Sequence, residues 1–370
     1  MNILLIHHLT DNNGQAQYGA VPYYRMQKPH EVLNRLYPEY DYITSNSLNI
    51  EESILKQTDL ILFTRSVTES DLLKLNELGI KWGIDIDDYW HLPDDHLLYQ
   101  NYLDNDTPKQ TENGLTQAHF VICTTEILAD KIKPFNKNVY VIENGIDTED
   151  KSWQPNKIKS NKVRFGFTGG TTHVPDVMLI NKSVSESLKD VDFKKKGQIV
   201  LCGFNAEFNK ASVYVGYERL LTDDLNSISD QDYVRRLKKL GNVNGNSYEY
   251  KRIPNLPVNQ FGTIHNELDI VVAPLKETEF NSCKSNIKML EAGFMDCAIM
   301  CHEVSPYKEL MTKDNSFSLT DKTFFEWQRY IIENPNSLID KKRQLKEDTK
   351  RFNLTLISEK RHRLYQTLFN

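Results

Sequence analysis

The chain has 370 residues, 39% of them apolar and 26% charged, and its 45 Lys and Arg against 51 Asp and Glu leave a net charge of −6. That length suits about two domains with full cores, and a 10% aromatic content excludes a largely disordered protein. The acidic balance excludes an overall basic field for nucleic acid, so any polyanion contact would have to come from a local patch.

The N-terminal run Met1-Asn2-Ile3-Leu4-Leu5-Ile6 is short, apolar and without a basic flank, so it reads as a strand and not a signal peptide. Further apolar runs follow at residues 40–43, 60–63, 81–84, 120–123 and 139–142, with helix-like segments at 69–78 and 126–132 between them. Such alternation predicts a parallel sheet covered by helices. Residues 150–162 are mostly polar, contain Pro155 and read as a linker. The pattern then restarts, with runs at 163–167, 199–202, 248–253, 268–273 and 298–301. The predicted fold class is therefore α/β, with two Rossmann-like lobes facing a cleft and ligands held outside the carboxyl ends of the strands. Residues 335–370 are helical and charged.

No run of about 18 apolar residues occurs, so no membrane segment is expected. Cys123, Cys202, Cys283, Cys297 and Cys301 form no Cys-x-x-Cys pair and read as reduced thiols of a cytoplasmic protein. The runs Lys194-Lys195-Lys196, Arg235-Arg236-Leu237-Lys238-Lys239 and Lys341-Lys342-Arg343 read as solvated faces.

Four stretches could carry chemistry. Gly14, Gly19 and Val21-Pro22-Tyr23-Tyr24-Arg25 form a loop leading into a helix, where free N–H groups could meet an anion, or a plain surface loop. The spacing is not that of a dinucleotide fingerprint. Asp85-Ile86-Asp87-Asp88 closes the 81–84 strand, and its crowded carboxylates must be offset by solvent, a cation or a polar substrate. A solvated turn, an acceptor contact and a metal all remain open there; Trp90 and His91 are near in sequence. Gly166-Phe167-Thr168-Gly169-Gly170-Thr171-Thr172-His173 follows the first strand of the second lobe, and paired glycines with hydroxyl residues suit a diphosphate, or a tight turn. Asp176 would complement the dipole of the next helix. The fourth stretch, residues 273–293, places Lys284, Ser285 and Asn286 at a helix start and Glu291 about two turns further on. A cation and free N–H groups there would favour a phosphate, and Glu291 could accept from two ribose hydroxyls.

These stretches resemble the GT-B glycosyltransferases of family 4, the glycosyl transferases group 1. The likeness runs through residues 121–147, ending in the turn Asn144-Gly145-Ile146-Asp147, through residues 165–173, and through residues 268–307 with the turn Val304-Ser305-Pro306-Tyr307. It implies an acceptor-side domain at 1–152, joined by a C-terminal helix at about 354–370, and a nucleotide-sugar domain at 160–345. It also implies a retaining, metal-independent transfer from a UDP- or GDP-sugar, with no further cofactor. By the same resemblance Glu291 holds the ribose, Ser285 and Asn286 face the diphosphate and sugar, and Gly169 and Gly170 approach the phosphates with Thr171 and His173 beside them. Lys284 would steady the leaving diphosphate, while Tyr23, Tyr24, Arg25 and Asp85 would line the acceptor side and Asp87 or Asp88 orient the acceptor hydroxyl. The sequence departs from the family in having Cys283 eight positions before Glu291, where a Glu is usual, and no Arg or Lys at 171–176. The expected acceptor is a glycan or lipid-linked glycan; the rivals are a hydroxymethylated pyrimidine in DNA and a silent sugar-nucleotide-binding module.

Overall fold

The computed structural model describes residues 1–7, 19–169, 171–204, 250–254 and 256–369. Gly14, Gly170 and the run 235–239 lie outside the described residues, as does the side chain of Thr171.

The chain forms two α/β units. Unit 1 comprises Met1–Asp147, Thr278–Ser285 and Arg351–Asn370; unit 2 comprises Thr148–Glu277 and Asn286–Lys350. In unit 1, strands β1 (Asn2–Ile6), β2 (Asp41–Ser45), β3 (Leu60–Thr64), β4 (Lys81–Ile86), β5 (Phe120–Cys123) and β6 (Val139–Val141) form a parallel sheet in the order β2-β1-β3-β4-β5-β6. The central strands are buried along their full length, which is why they read as unbroken apolar runs rather than alternating ones. The helix Glu69–Leu78 starts where Thr68 accepts from the Asp71 N–H at 3.1 Å and stops at Gly79, whose φ of +64° suits glycine. Thr125 caps Glu126–Ile132 in the same way.

The C-terminal helix Leu354–Phe369 completes unit 1 by packing on the helix Lys28–Leu36. The Asn144-Gly145-Ile146-Asp147 turn holds its entry. Ile146 N donates to Phe352 O at 3.1 Å, and Leu354 N donates to Ile146 O at 2.9 Å. A Cβ on Gly145 would lie 3.0 Å from both Leu354 Cα and Phe352 O, so a side chain there would force this backbone to shift by a few tenths of an ångström. Asp147 anchors the turn by accepting two hydrogen bonds from Arg35, at 3.0 and 3.2 Å.

Unit 2 repeats the plan with β7 (Val163–Phe167), β8 (Gly197–Phe204), β9 (Tyr250–Pro254), β10 (Ile270–Ala273), β11 (Ala298–Cys301) and β12 (Ser316–Ser318), in the parallel order β12-β11-β10-β7-β8-β9. The chain leaves β7 toward β8 and returns on its other side at β10, so the switch point lies between β7 and β10. One expectation needs correction. Lys341 and Lys342 are not a solvated face: Lys341 donates to Lys313 O and lies over the Phe317 ring, and Lys342 pairs with Asp269 at 3.7 Å. Long aliphatic stems cover apolar surface while their ammonium groups find oxygen. Lys194, Lys195 and Lys196 are exposed.

Candidate functional site

In unit 1 the Asp85-Ile86-Asp87-Asp88 stretch divides at the end of β4. Asp85 still belongs to the strand and points into a buried ionic network. Arg25 Nε donates to its Oδ1 at 2.7 Å and Arg361 Nη2 to its Oδ2 at 2.9 Å. Arg25 sits in a π-helical turn, Tyr23–Gln27, and its Nη1 donates to Asn144 Oδ1 at 3.0 Å. Asn144 Nδ2 passes the chain on to Ser285 Oγ at 2.8 Å. On the other side Arg361 Nη1 donates to Tyr365 Oη, which donates to His30 Nε2 at 2.9 Å. Of the residues predicted for the acceptor side, Tyr23, Arg25 and Asp85 are thus buried, and Tyr24 is half-buried with its ring edge-on to Tyr23.

Asp87 and Asp88 lie beyond the strand and remain partly accessible. Arg65 bridges them, Nε donating to Asp87 Oδ1 at 3.0 Å and Nη2 to Asp88 Oδ2 at 2.8 Å. Arg65 has a φ of +64°, an uncommon conformation for a residue other than glycine, and its N–H donates to Asp85 O. Lys284 Nζ donates to Asp88 Oδ1 at 3.2 Å and lies over the Phe280 ring. Both Asp88 oxygens are therefore engaged, whereas one Asp87 oxygen stays open to a ligand. Burial, opposed by Arg65 and reinforced by Asp88, pushes the Asp87 carboxyl above its usual range. Arg65 carries no sequence signal, because its register beside two carboxylates 22 and 23 residues away is set by sheet pairing alone.

The fourth stretch, residues 273–293, is divided by the unit boundaries. Residues 278–285 belong to unit 1 and Asn286 onward to unit 2. Thr278 caps the turn Glu279–Ser282, Glu279 pairs with Lys131, and Thr125 donates to Cys283 O at 3.3 Å. Cys283 lies in the unit 1 core, where burial pushes its thiol up to about 11, so it offers no charge in place of a carboxylate. Asn286 begins the helix Ile287–Phe294.

In unit 2 an open pocket lies at the carboxyl ends of the strands around the switch point. The loop after β7 supplies Thr168, Gly169 and His173; Ala273 and Pro274 close it from β10, with Lys288 and Tyr307 opposite. Most of its lining is apolar, as expected of a small-molecule site with few orienting polar groups. Lys288 Nζ donates to Glu291 Oε2 at 2.7 Å and to Thr168 O at 3.2 Å, so it ties the β7 loop to the helix. Glu291 is 1% exposed, and His265 Nε2 lies 3.9 Å from its carboxylate. Gly169, His173, Lys288 and Glu291 are thereby brought together within unit 2, while Lys284 and Ser285 make their contacts within unit 1. Among the described residues no three His, Cys, Asp or Glu side chains converge as a cation site.

Two buried histidines, His30 in unit 1 and His265 in unit 2, are held neutral. Burial, with Arg361 nearby, holds His30 down to about 3, and burial opposed by Glu291 holds His265 at about 4. The unfolded chain takes up these protons near the ordinary histidine value of about 6.5 and the folded protein does not. Each unit is therefore fully stabilised above about pH 6.5 and loses roughly 1.4 kcal/mol per pH unit as the pH falls toward 4. Urea midpoints at pH 7, 6 and 5 should fall accordingly, and His30→Gln should flatten the unit 1 transition; midpoints constant down to pH 5 would refute this.

No family model matches the chain, and no curated protein matches it. Solved structures do. Sucrose-phosphate synthase from Thermosynechococcus elongatus superposes with a TM-score of 0.67 at 14% identity, over 100% of this chain and 99% of that one. A glycosyltransferase from Rickettsia africae gives 0.59 at 11% identity over 100% and 98%. HepE of Anabaena, solved in complex with UDP and glucose, gives 0.59 at 12% identity over 99% and 100%. The chain therefore has the GT-B fold, two Rossmann-like units of the kind found in these glycosyltransferases.

Proposed function

We propose that the protein is a glycosyltransferase that moves a sugar from a nucleoside-diphosphate sugar, a UDP- or GDP-sugar, to an acceptor hydroxyl, with retention of configuration and without a metal ion. The observation that carries this reading is the unit 2 pocket at the switch point, where a buried Glu291 and its partner Lys288 adjoin the Thr168-Gly169 loop. Structural neighbours solved with UDP and with UDP-glucose support a nucleotide-sugar donor. In this reading Glu291 accepts from the ribose hydroxyls, and Gly169 lets the β7 loop approach the diphosphate. Ser285, held by Asn144, and Asn286 flank the point where the chain enters unit 2.

Asp87 is the residue assigned to the acceptor hydroxyl, because its second oxygen is open and Arg65 fixes the first. Asp88 and Lys284 hold the constellation in place. Arg25 and Asp85 shape this region from below rather than by touching substrate. The acceptor is a glycan or lipid-linked glycan. Five free, buried thiols suit a reducing compartment.

Incubation with a panel of sugar nucleotides, with and without chelator, should show donor binding and slow donor hydrolysis that the chelator leaves unchanged. Binding of no nucleotide would remove the donor site, and inhibition by chelator would restore a metal to the aspartates. Binding without any turnover would favour the silent binding module, and duplex DNA binding with a steep salt dependence the DNA acceptor.

A further inference from the structure

Asp176 sits where two loops of unit 2 meet. Its Oδ2 accepts from His173 Nδ1 at 2.6 Å, and its Oδ1 accepts from the backbone N–H of Lys276 at 2.7 Å. His173 belongs to the turn after β7 and Lys276 to the loop after β10, so one buried carboxylate braces both sides of the switch point. A carboxylate bound through both oxygens cannot rotate away from the imidazole.

That hydrogen bond also settles the tautomer. A carboxylate only accepts, so Nδ1 carries its hydrogen and Nε2 is left for something else. Among the described residues Nε2 has no hydrogen-bond partner, and about a quarter of the side chain, 28%, is exposed where the ring lines the pocket. Gly169 lies against the ring: a Cβ there would sit 3.5 Å from His173 Cδ2. Thr168 Oγ1, buried in the same wall, also has no partner among the described residues. A buried hydroxyl without a partner costs about 1–3 kcal/mol, a cost that a bound ligand would relieve. Lys288, the cation of this pocket, is already held by Glu291.

We propose that Asp176 is a positioning residue that holds His173 as the hydrogen-bond donor to the diphosphate of the sugar nucleotide. This rests on the glycosyltransferase reading and assigns to His173 the charge that no Arg or Lys at 171–176 supplies. With Nδ1–H given to Asp176, Nε2 can donate only from the imidazolium, and Asp176 carries the matching negative charge. During transfer the bond between C1 of the sugar and the β-phosphate oxygen breaks, and its electron pair stays on that oxygen. The acceptor hydroxyl oxygen forms the new bond to C1, and its proton passes to the departing phosphate. His173 keeps its own proton and lowers the energy of the charge building on the leaving group.

Calorimetric affinities of uridine, UDP, guanosine and GDP for the wild type, His173→Gln and Asp176→Asn test this. In the wild type one diphosphate should bind more tightly than its own nucleoside. His173→Gln should cut that ratio about tenfold and Asp176→Asn about threefold, the scale of one charge-assisted hydrogen bond lost or misdirected, with nucleoside affinity unchanged. A ratio unchanged in His173→Gln would overturn the proposal. So would an Asp176→Asn variant that weakens nucleoside and diphosphate alike, since a carboxylate that merely braces the loop would act on both. Failure of the wild type to bind any of the four would instead remove the donor site itself.

Discussion

Asp85→Ala is expected to lower the unfolding free energy by about 3–5 kcal/mol, the cost of leaving buried charge uncompensated. Asp85 is fully buried, and Arg25 and Arg361 beside it are each 1% exposed. Without the carboxylate two guanidinium groups face each other across a space that water does not reach. Arg25 keeps Asn144 and Arg361 keeps Tyr365, but neither partner carries charge. Since whole domains are stable by only about 5–15 kcal/mol, this one change should shift the urea midpoint severely. It should also loosen the C-terminal helix, because Arg361 joins that helix to β4. Arg361→Met should cost less, since Asp85 then retains Arg25. A midpoint for Asp85→Ala within experimental error of the wild type would show that the network contributes nothing.

Glu291→Ala should weaken nucleotide binding by about tenfold to a hundredfold, the range for losing hydrogen bonds to a charged acceptor. Lys288 pairs with the buried carboxylate, so its charge is compensated before any ligand arrives. A 2′,3′-dideoxynucleotide supplies the matching half of a cycle. It should bind the wild type as weakly as the ribonucleotide binds the variant, and the variant should lose little further affinity for it. Equal discrimination between the two nucleotides in wild type and variant would show that Glu291 does not meet the ribose. Near-ultraviolet circular dichroism checks that the variant is folded, because removal of Glu291 also frees Lys288 from its ion pair.

The architecture was largely legible in the sequence because a parallel sheet buries each strand on both faces, leaving apolar runs such as Leu60–Thr64 and Ile270–Ala273 that need no partner to be seen. The strand Ser316–Ser318 left no such trace, being three residues with a single apolar side chain. The site was legible only in part. Gly169, His173 and Glu291 stood out by loop chemistry and spacing; the first two line one pocket with Lys288, and Glu291 pairs with that lysine.

Local pattern therefore determined the strands, the two-unit plan and the loops worth inspecting. Tertiary structure alone decided which charges meet. The four-residue stretch from Asp85 to Asp88 reads as one acidic cluster, yet the end of β4 sends Asp85 to Arg25, 60 residues away, and to Arg361, 276 residues away. Asp87 and Asp88 turn instead to Arg65, and Asp88 also to Lys284. Apolar periodicity is a property of neighbouring residues and survives in a string of letters. An ion pair is a property of distance in space, and only the folded chain sets that distance.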